Sequence, residues 1–252
     1  MNIANPPGYN SLVALDKEEH NGLGIPAVKS HAFAKSLNGI QVLAAELFRA
    51  ARDYPLVFVQ PDDSDSCIVI AVTSLEDNDN LFVDRNGEWS SGTYIPAFVR
   101  RWPFYGVPLA GAPGPDGEVL ICVDESALTP EGEPLFDTAG NATAMLNAAQ
   151  QLISQFESER VATEQLCRNV MRLGLLEPFE ALALPKAGKE MRLGGMFRVD
   201  ERKLNALPPD EIQQLMMRGE LSRIYAHLMS LDNFQVLLDR AAERASQPDS
   251  SK

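Results

Sequence analysis

Between residues 56 and 124 the apolar positions come in short blocks: LVFVQ (56–60), CIVIAVTSL (67–75), NLFVD (80–84) and VLICVD (119–124). The blocks are rich in Val, Ile and Phe and too short for stable helices, so they predict strands. The polar connections between the first three, PDDSDS and EDNDN, are short enough to favour antiparallel neighbours. Asn86-Gly87, within DRNGEW, is a hairpin signal because both residues tolerate positive φ. On either side the period changes to that of a helix. Gln41 to Arg52 is helix-favouring, with Val42, Ala45, Leu47, Phe48 and Ala51 available for an inward face. Tyr54-Pro55 ends it, since proline disfavours the helical region at the residue before it. Further on, Met145, Ala149, Leu152, Phe156, Leu166, Val170 and Leu173 fall on a 3–4 spacing broken at Glu159 and Thr163. With Thr143 as N-cap and Gly174 as stop, this predicts a long helix at about 143–174, roughly 45 Å in length.

The C-terminal third repeats both patterns on a smaller scale. Phe197 and Val199 alternate with Arg198 and Asp200 after a Lys186-Ala-Gly-Lys189 tip, which predicts a hairpin. Pro208-Pro209-Asp210-Glu211 starts a helix and Gly219 stops it, and residues 220–229 and 232–245 continue as helices. Residues 1–31 show no periodicity, and the small polar ASQPDSSK at the end is expected to fray. The expected fold class is α+β: an antiparallel sheet packed against the long helix, completed by a C-terminal hairpin and helices. Residues 1–252 are expected to form one domain, with a C-terminal helical subdomain from about 200 as the alternative.

Composition narrows the function classes. With 45% apolar and 23% charged residues the chain suits a soluble globular protein able to bury a sizeable core. Its net charge of −13 argues against nucleic-acid binding, which rests on Lys and Arg neutralising phosphates. No run of about 18 apolar residues predicts membrane insertion. The N-terminus has neither the basic nor the apolar region of a signal peptide. Cys67, Cys122 and Cys167 are sparse and form no CxxC pair, which suits reduced thiols and a cytoplasmic location.

Candidate chemistry is thin. GxSxG, Walker, HExxH and GxGxxG patterns are absent, and GAPGPDGE (111–118) reads as a loop. Asp77, Asp79 and Glu88 match positions of an EF-hand loop, but the required glycine is Phe82. No metal or other cofactor is expected. The alternative is a two-His, one-carboxylate site using His20 and His31; His227 reads as a packed helix residue. The most distinctive segment is TYIPAFVRRWPFYGVP (93–108), where aromatics surround a tandem arginine. As a binding site, Tyr94 and Trp102 would stack on a protein or peptide partner while Arg100 or Arg101 clamped a carboxylate. As a structural element, one helical turn between Pro96 and Pro103 would bury Phe98 and Trp102, with the arginines paired to nearby acids. The structural reading is preferred, and the two are compatible.

The segments LDKEEHNGLGI, ELFRAARDYPLVFVQ, NLFVDRNGEWSSGTYIPAFVRRWPF, CVDESALTPEGEPLFDTAGNAT, LGLLEPFEALAL and LGGMFRVDERKLNALPPDEIQQLMMRGELSRIYAHLMSL run in this order through the chain. Together they resemble the SapC-like bacterial family over roughly 12–237. The resemblance implies a link to surface-layer material and its export, and companionship with outer-membrane receptors and modifying enzymes such as flavin halogenases. It carries no catalytic role to any residue. The expectation is therefore a non-enzymatic accessory protein that binds a protein or peptide in a surface-layer or envelope pathway. The alternative is an enzyme, with or without a metal, acting beside modifying enzymes on a small molecule or peptide. A homo-oligomer is compatible with either.

Overall fold

A computed structural model describes residues 4–26, 30–61, 66–109, 119–183 and 191–246. In chain order the strands are β1 (Leu12–Ala14), β2 (Gly24–Ile25), β3 (Gly39–Gln41), β4 (Leu56–Val59), β5 (Ile68–Val72), β6 (Phe104–Pro108), β7 (Val119–Asp124), β8 (Glu133–Pro134), β9 (Leu176–Ala183) and β10 (Met191–Val199). The α-helices are α1 (Leu47–Ala50), α2 (Ala97–Arg100), α3 (Ala144–Arg172), α4 (Glu201–Asn205), α5 (Pro209–Met217), α6 (Glu220–Ser230) and α7 (Asn233–Ser246). The fold is α+β, and its strand pairs are antiparallel.

Two principal sheets form instead of one. The larger runs β3-β5-β4-β10-β9 and the smaller β1-β7-β6, while β2 pairs with β8 alone. The C-terminal hairpin thus joins the main sheet, with β10 beside β4. Its tip and the GAPGPDGE segment lie outside the described residues, as do residues 247–252. β1 and β2 lie in the N-terminal stretch that shows no periodicity. Two or three residues are too few to display a period, and the partners of β1 lie more than a hundred residues away. Asp124 fixes this end by accepting the backbone N–H groups of Asn10 (2.9 Å) and Ser11 (3.1 Å). Burial works against the ionised carboxyl there, but these bonds and those from Ser126 outweigh it and hold its pKa below the ordinary range.

Two other expected elements are corrected. NLFVD is a turn, with a single bridge from Val83 to Trp89, and its Phe82 and Val83 are buried without a ladder. The helix expected from Gln41 to Arg52 shrinks to a 3₁₀ turn at Ala44–Glu46 followed by α1, because Gln41 is taken by β3.

The long helix matches its expected ends. Thr143 caps it by accepting the Leu146 N–H (3.4 Å), and Gly174 stops it at φ +62°. Its buried face is rotated in the first half: Leu146 and Ile153 are buried, whereas Met145 and Leu152 are half-buried. Leu146 and Ile153 join Phe104, Val123 and Leu135 in a small core under the three-stranded sheet, and Leu166, Cys167 and Val170 enter the main core. One helix therefore bridges both cores. Thr163, a break in the apolar pattern, is buried and accepts the Ala44 N–H (2.8 Å). All three cysteines are free and buried.

Candidate functional site

The aromatic-arginine segment forms one turn of helix, α2, tied down by Glu46, and then runs into β6. The buried Glu46 carboxylate accepts the Leu43 N–H (2.9 Å), the Ala97 N–H (2.6 Å) and the Tyr94 hydroxyl (2.7 Å). It thus caps the 3₁₀ turn before α1 and the start of α2 together, satisfying amides that a short helix leaves unpaired. Burial, together with the Glu46 charge and hydrogen bond, pushes the Tyr94 phenol up to about 12.

The tandem arginines point in opposite directions. Arg100 has a side chain 45% exposed; its guanidinium donates to the Ile95 carbonyl (3.1 Å) and the Tyr94 hydroxyl (3.3 Å), and lies 3.9 Å from Glu46. Arg101 is only 2% exposed. Its guanidinium lies over the rings of Phe156 (3.9 Å), Tyr105 (4.0 Å) and Phe98 (4.8 Å). Glu157 comes within 3.9 Å of it, yet among the described residues no guanidinium nitrogen of Arg101 makes a hydrogen bond. Tyr9 packs against Phe98 and Tyr105, but its hydroxyl is committed to the Phe104 carbonyl (2.9 Å). Burial raises the Tyr9 phenol above its ordinary value, against the opposing pull of the Arg101 cation. Trp102 stacks on Phe33 with ring centroids 4.6 Å apart, and its peptide bond to Pro103 is cis.

Of the four expected partner-binding residues, Tyr94 and Arg100 therefore share one surface. Arg101 is enclosed in an aromatic cage, and Trp102 is half-buried in an aromatic cluster. Phe98 and Trp102 both pack inward, against Tyr9 and Phe33 respectively, as the structural reading requires. The acids that face the arginines are distant in sequence, Glu46 and Glu157, and so could not be chosen by proximity along the chain.

The alternative metal site is not assembled. His20 is buried in the turn beginning at Asp16, with Nδ1 2.8 Å from the Asp16 carbonyl. His31 packs edge-on against Trp89. Among the described residues no group of three or more His, Cys, Asp or Glu side chains is placed to hold a metal. The EF-hand spacing is likewise spent: Asp79 accepts the Ser74 hydroxyl (2.6 Å) and pairs with Arg244, and Asp77 accepts from Asn38 (3.2 Å). Ser74, Asp79 and Arg244 line a cleft of about 270 Å³ beside α7, where they are committed to one another.

A different surface stands out. Phe48 on α1 is 53% exposed, and Met216 and Met217 at the end of α5 are 64% and 73% exposed. On α6, Met229 is 76% and Tyr225 39% exposed, one helical turn apart. α1 and α5 both contact α6. The Arg223 guanidinium ties α6 to the turn before α1 by donating to the Ala44 carbonyl (3.1 Å). Large apolar side chains gathered on one face of a folded protein mark interaction sites. The apolar pattern predicts Phe48 on an inward face, but in α1 it is Leu47 and Ala50 that turn inward. The available signal was MMRG before the Gly219 stop, two methionines where the last helical turn would ordinarily be polar.

The family model described as SapC matches residues 15–237. No curated protein and no solved structure matches the chain.

Proposed function

We propose, from the premise that the chain belongs to the SapC family, that this protein is a non-enzymatic accessory factor. It acts in the cytoplasm by binding another protein or peptide in a pathway for surface-layer or envelope material. The observation that carries this reading is the exposure of Phe48, Met216, Met217, Tyr225 and Met229 on α1, α5 and α6, of which α6 contacts the other two. Such side chains gain free energy from leaving water, at roughly 25 cal/mol per Å² of apolar surface covered. The methionines add adaptability, since their unbranched chains fit varied partners.

Affinity capture tests it. The tagged chain is recovered from its own cells alongside a Tyr225→Ser/Met229→Ser variant, with folding checked by circular dichroism. A protein enriched with the unaltered chain and lost with the variant is the expected result. Recovery of the bait alone across growth conditions, or of the same proteins with both chains, would count against the reading.

A further inference from the structure

The charges around this apolar face are unlike those of the rest of the molecule. The chain carries 35 acidic and 22 basic residues. From Leu47 to Arg52 there is no acid, and from Gln213 to Ser230 the single acid is Glu220. Glu220 is buried, and both its carboxylate oxygens accept from Asn169 at 2.8 Å. The same stretches carry Arg49, Arg52, Arg218 and Arg223, with Arg100 held next to Glu46 just before α1. Arg49, Arg52 and Arg218 are exposed and make no ion pair among the described residues. Arg223 spends its donors on the carbonyls of Ala44, Arg218 and Gly219 and makes no ion pair among the described residues. The acids that flank these stretches are Asp53, half-buried and accepting the Tyr94 N–H, Asp210 and Glu211 in the first turn of α5, the latter paired with Arg172, and Asp232 just beyond α6. The stretches that carry the largest exposed apolar side chains among the described residues are thus net cationic within a net-acidic protein.

We propose that the α1–α5–α6 face docks an acidic amphipathic helix of a partner protein. Resting on the protein-binding reading above, the inference adds the chemistry of the partner. Apolar side chains one turn apart on the incoming helix would cover Phe48, Tyr225 and Met229. Its Glu and Asp residues would meet Arg49, Arg52 and Arg218, and Arg100 offers a further donor. Charge distribution argues against the other occupants. An anionic bilayer would reach past the cationic stretches and meet the acidic remainder of a chain of net charge −13. A second copy placed face to face would set like charges against one another.

The test uses a fluorescent amphipathic peptide of about 15 residues, enough for four helical turns. One version carries Leu on one face and Glu on the other; a second carries Lys in place of every Glu. Binding to the full chain is read by anisotropy. The Glu peptide should bind, and on the order of tenfold more tightly than the Lys peptide. Arg49→Glu/Arg52→Glu should weaken the Glu peptide by a similar factor while leaving the melting temperature within a few degrees. Failure of the Glu peptide to bind, equal binding of both peptides, or no effect of the double substitution overturns the proposal. So does preferential binding to vesicles containing phosphatidylglycerol, or loss of the free face by self-association in sedimentation. A partner captured through Tyr225 and Met229 but insensitive to the arginine reversals would leave the protein-binding reading standing and remove only the acidic helix.

Discussion

His227 occupies a place where the main sheet opens. β10 and β4 pair at Met196–Val59 and Phe197–Phe58, a register that would set Val199 against Leu56. Instead the imidazole sits between them, donating from Nδ1 to the Leu56 carbonyl (2.8 Å) and accepting the Val199 N–H at Nε2 (3.1 Å). Only the neutral ring can do both. Burial lowers its pKa to about 4, from an ordinary 6.5. Between these values the unfolded chain binds the proton and the folded chain does not. Stability from this residue is therefore complete above about pH 6.5, falls as the pH drops toward 4, and changes little below that. The interval corresponds to about 3 kcal/mol. Urea unfolding at pH 7.5 and 4.5 should show that loss in the unaltered chain and a smaller one in His227→Gln. Equal losses would assign the acid sensitivity to other groups. Arg101 is a second residue whose place could not be read from sequence. Adjacent arginines look alike there, and only the geometry of a four-residue helix decides that one enters an aromatic cage and the other stays in solvent.

At the scale of elements, α3 shows what the sequence could and could not convey. Its ends were legible because Thr143 and Gly174 act through their own backbone and immediate neighbours. The exact inward face was not, because two cores pull on the helix: the small sheet takes Leu146 and Ile153, and the main core takes Leu166 and Val170. The contact with the small sheet is close. A Cβ on Gly106 of β6 would come to 2.6 Å from Ile153 Cγ2 and 2.8 Å from Val119 Cγ1. Gly106 thus permits helix and strand to approach, and Gly106→Val is expected to destabilise by about 1–3 kcal/mol through overpacking. Ile153→Ala in the same chain should couple to it, since it vacates the overlapping volume. Gly194→Ala is the control, because its Cβ would meet nothing nearer than Glu180 at 3.6 Å. A Gly106→Val variant as stable as that control would show that β6 and α3 adjust at no cost. The short strands β1 and β2 escaped notice for a related reason: what makes them strands is a partner elsewhere in the chain, not a pattern of their own.

At the scale of the whole molecule, charge is divided unevenly, and salt should act on the two parts with opposite sign. Most of the surface shares a net charge of −13, so its carboxylates repel one another in the folded state more than in the expanded chain. Screening shortens the reach of that repulsion from about 30 Å at 0.01 M salt to about 3 Å at 1 M. Exposed ion pairs such as Arg172–Glu211 and Arg198–Glu177 lose strength as well, but solvent already screens them and they add little net stability. Sodium chloride is therefore expected to raise the melting temperature by about 2–4 °C, equivalent to about 1 kcal/mol for a chain of this size. At the cationic face the sign reverses. Attraction of a Glu-bearing peptide to Arg49, Arg52 and Arg218 is screened by the same salt, so its affinity should fall while the fold gains stability. Calorimetry and anisotropy over one sodium chloride series would read both. Affinity that rises in step with melting temperature would mean that docking is dominated by Phe48, Tyr225 and Met229, with no net contribution from the arginines.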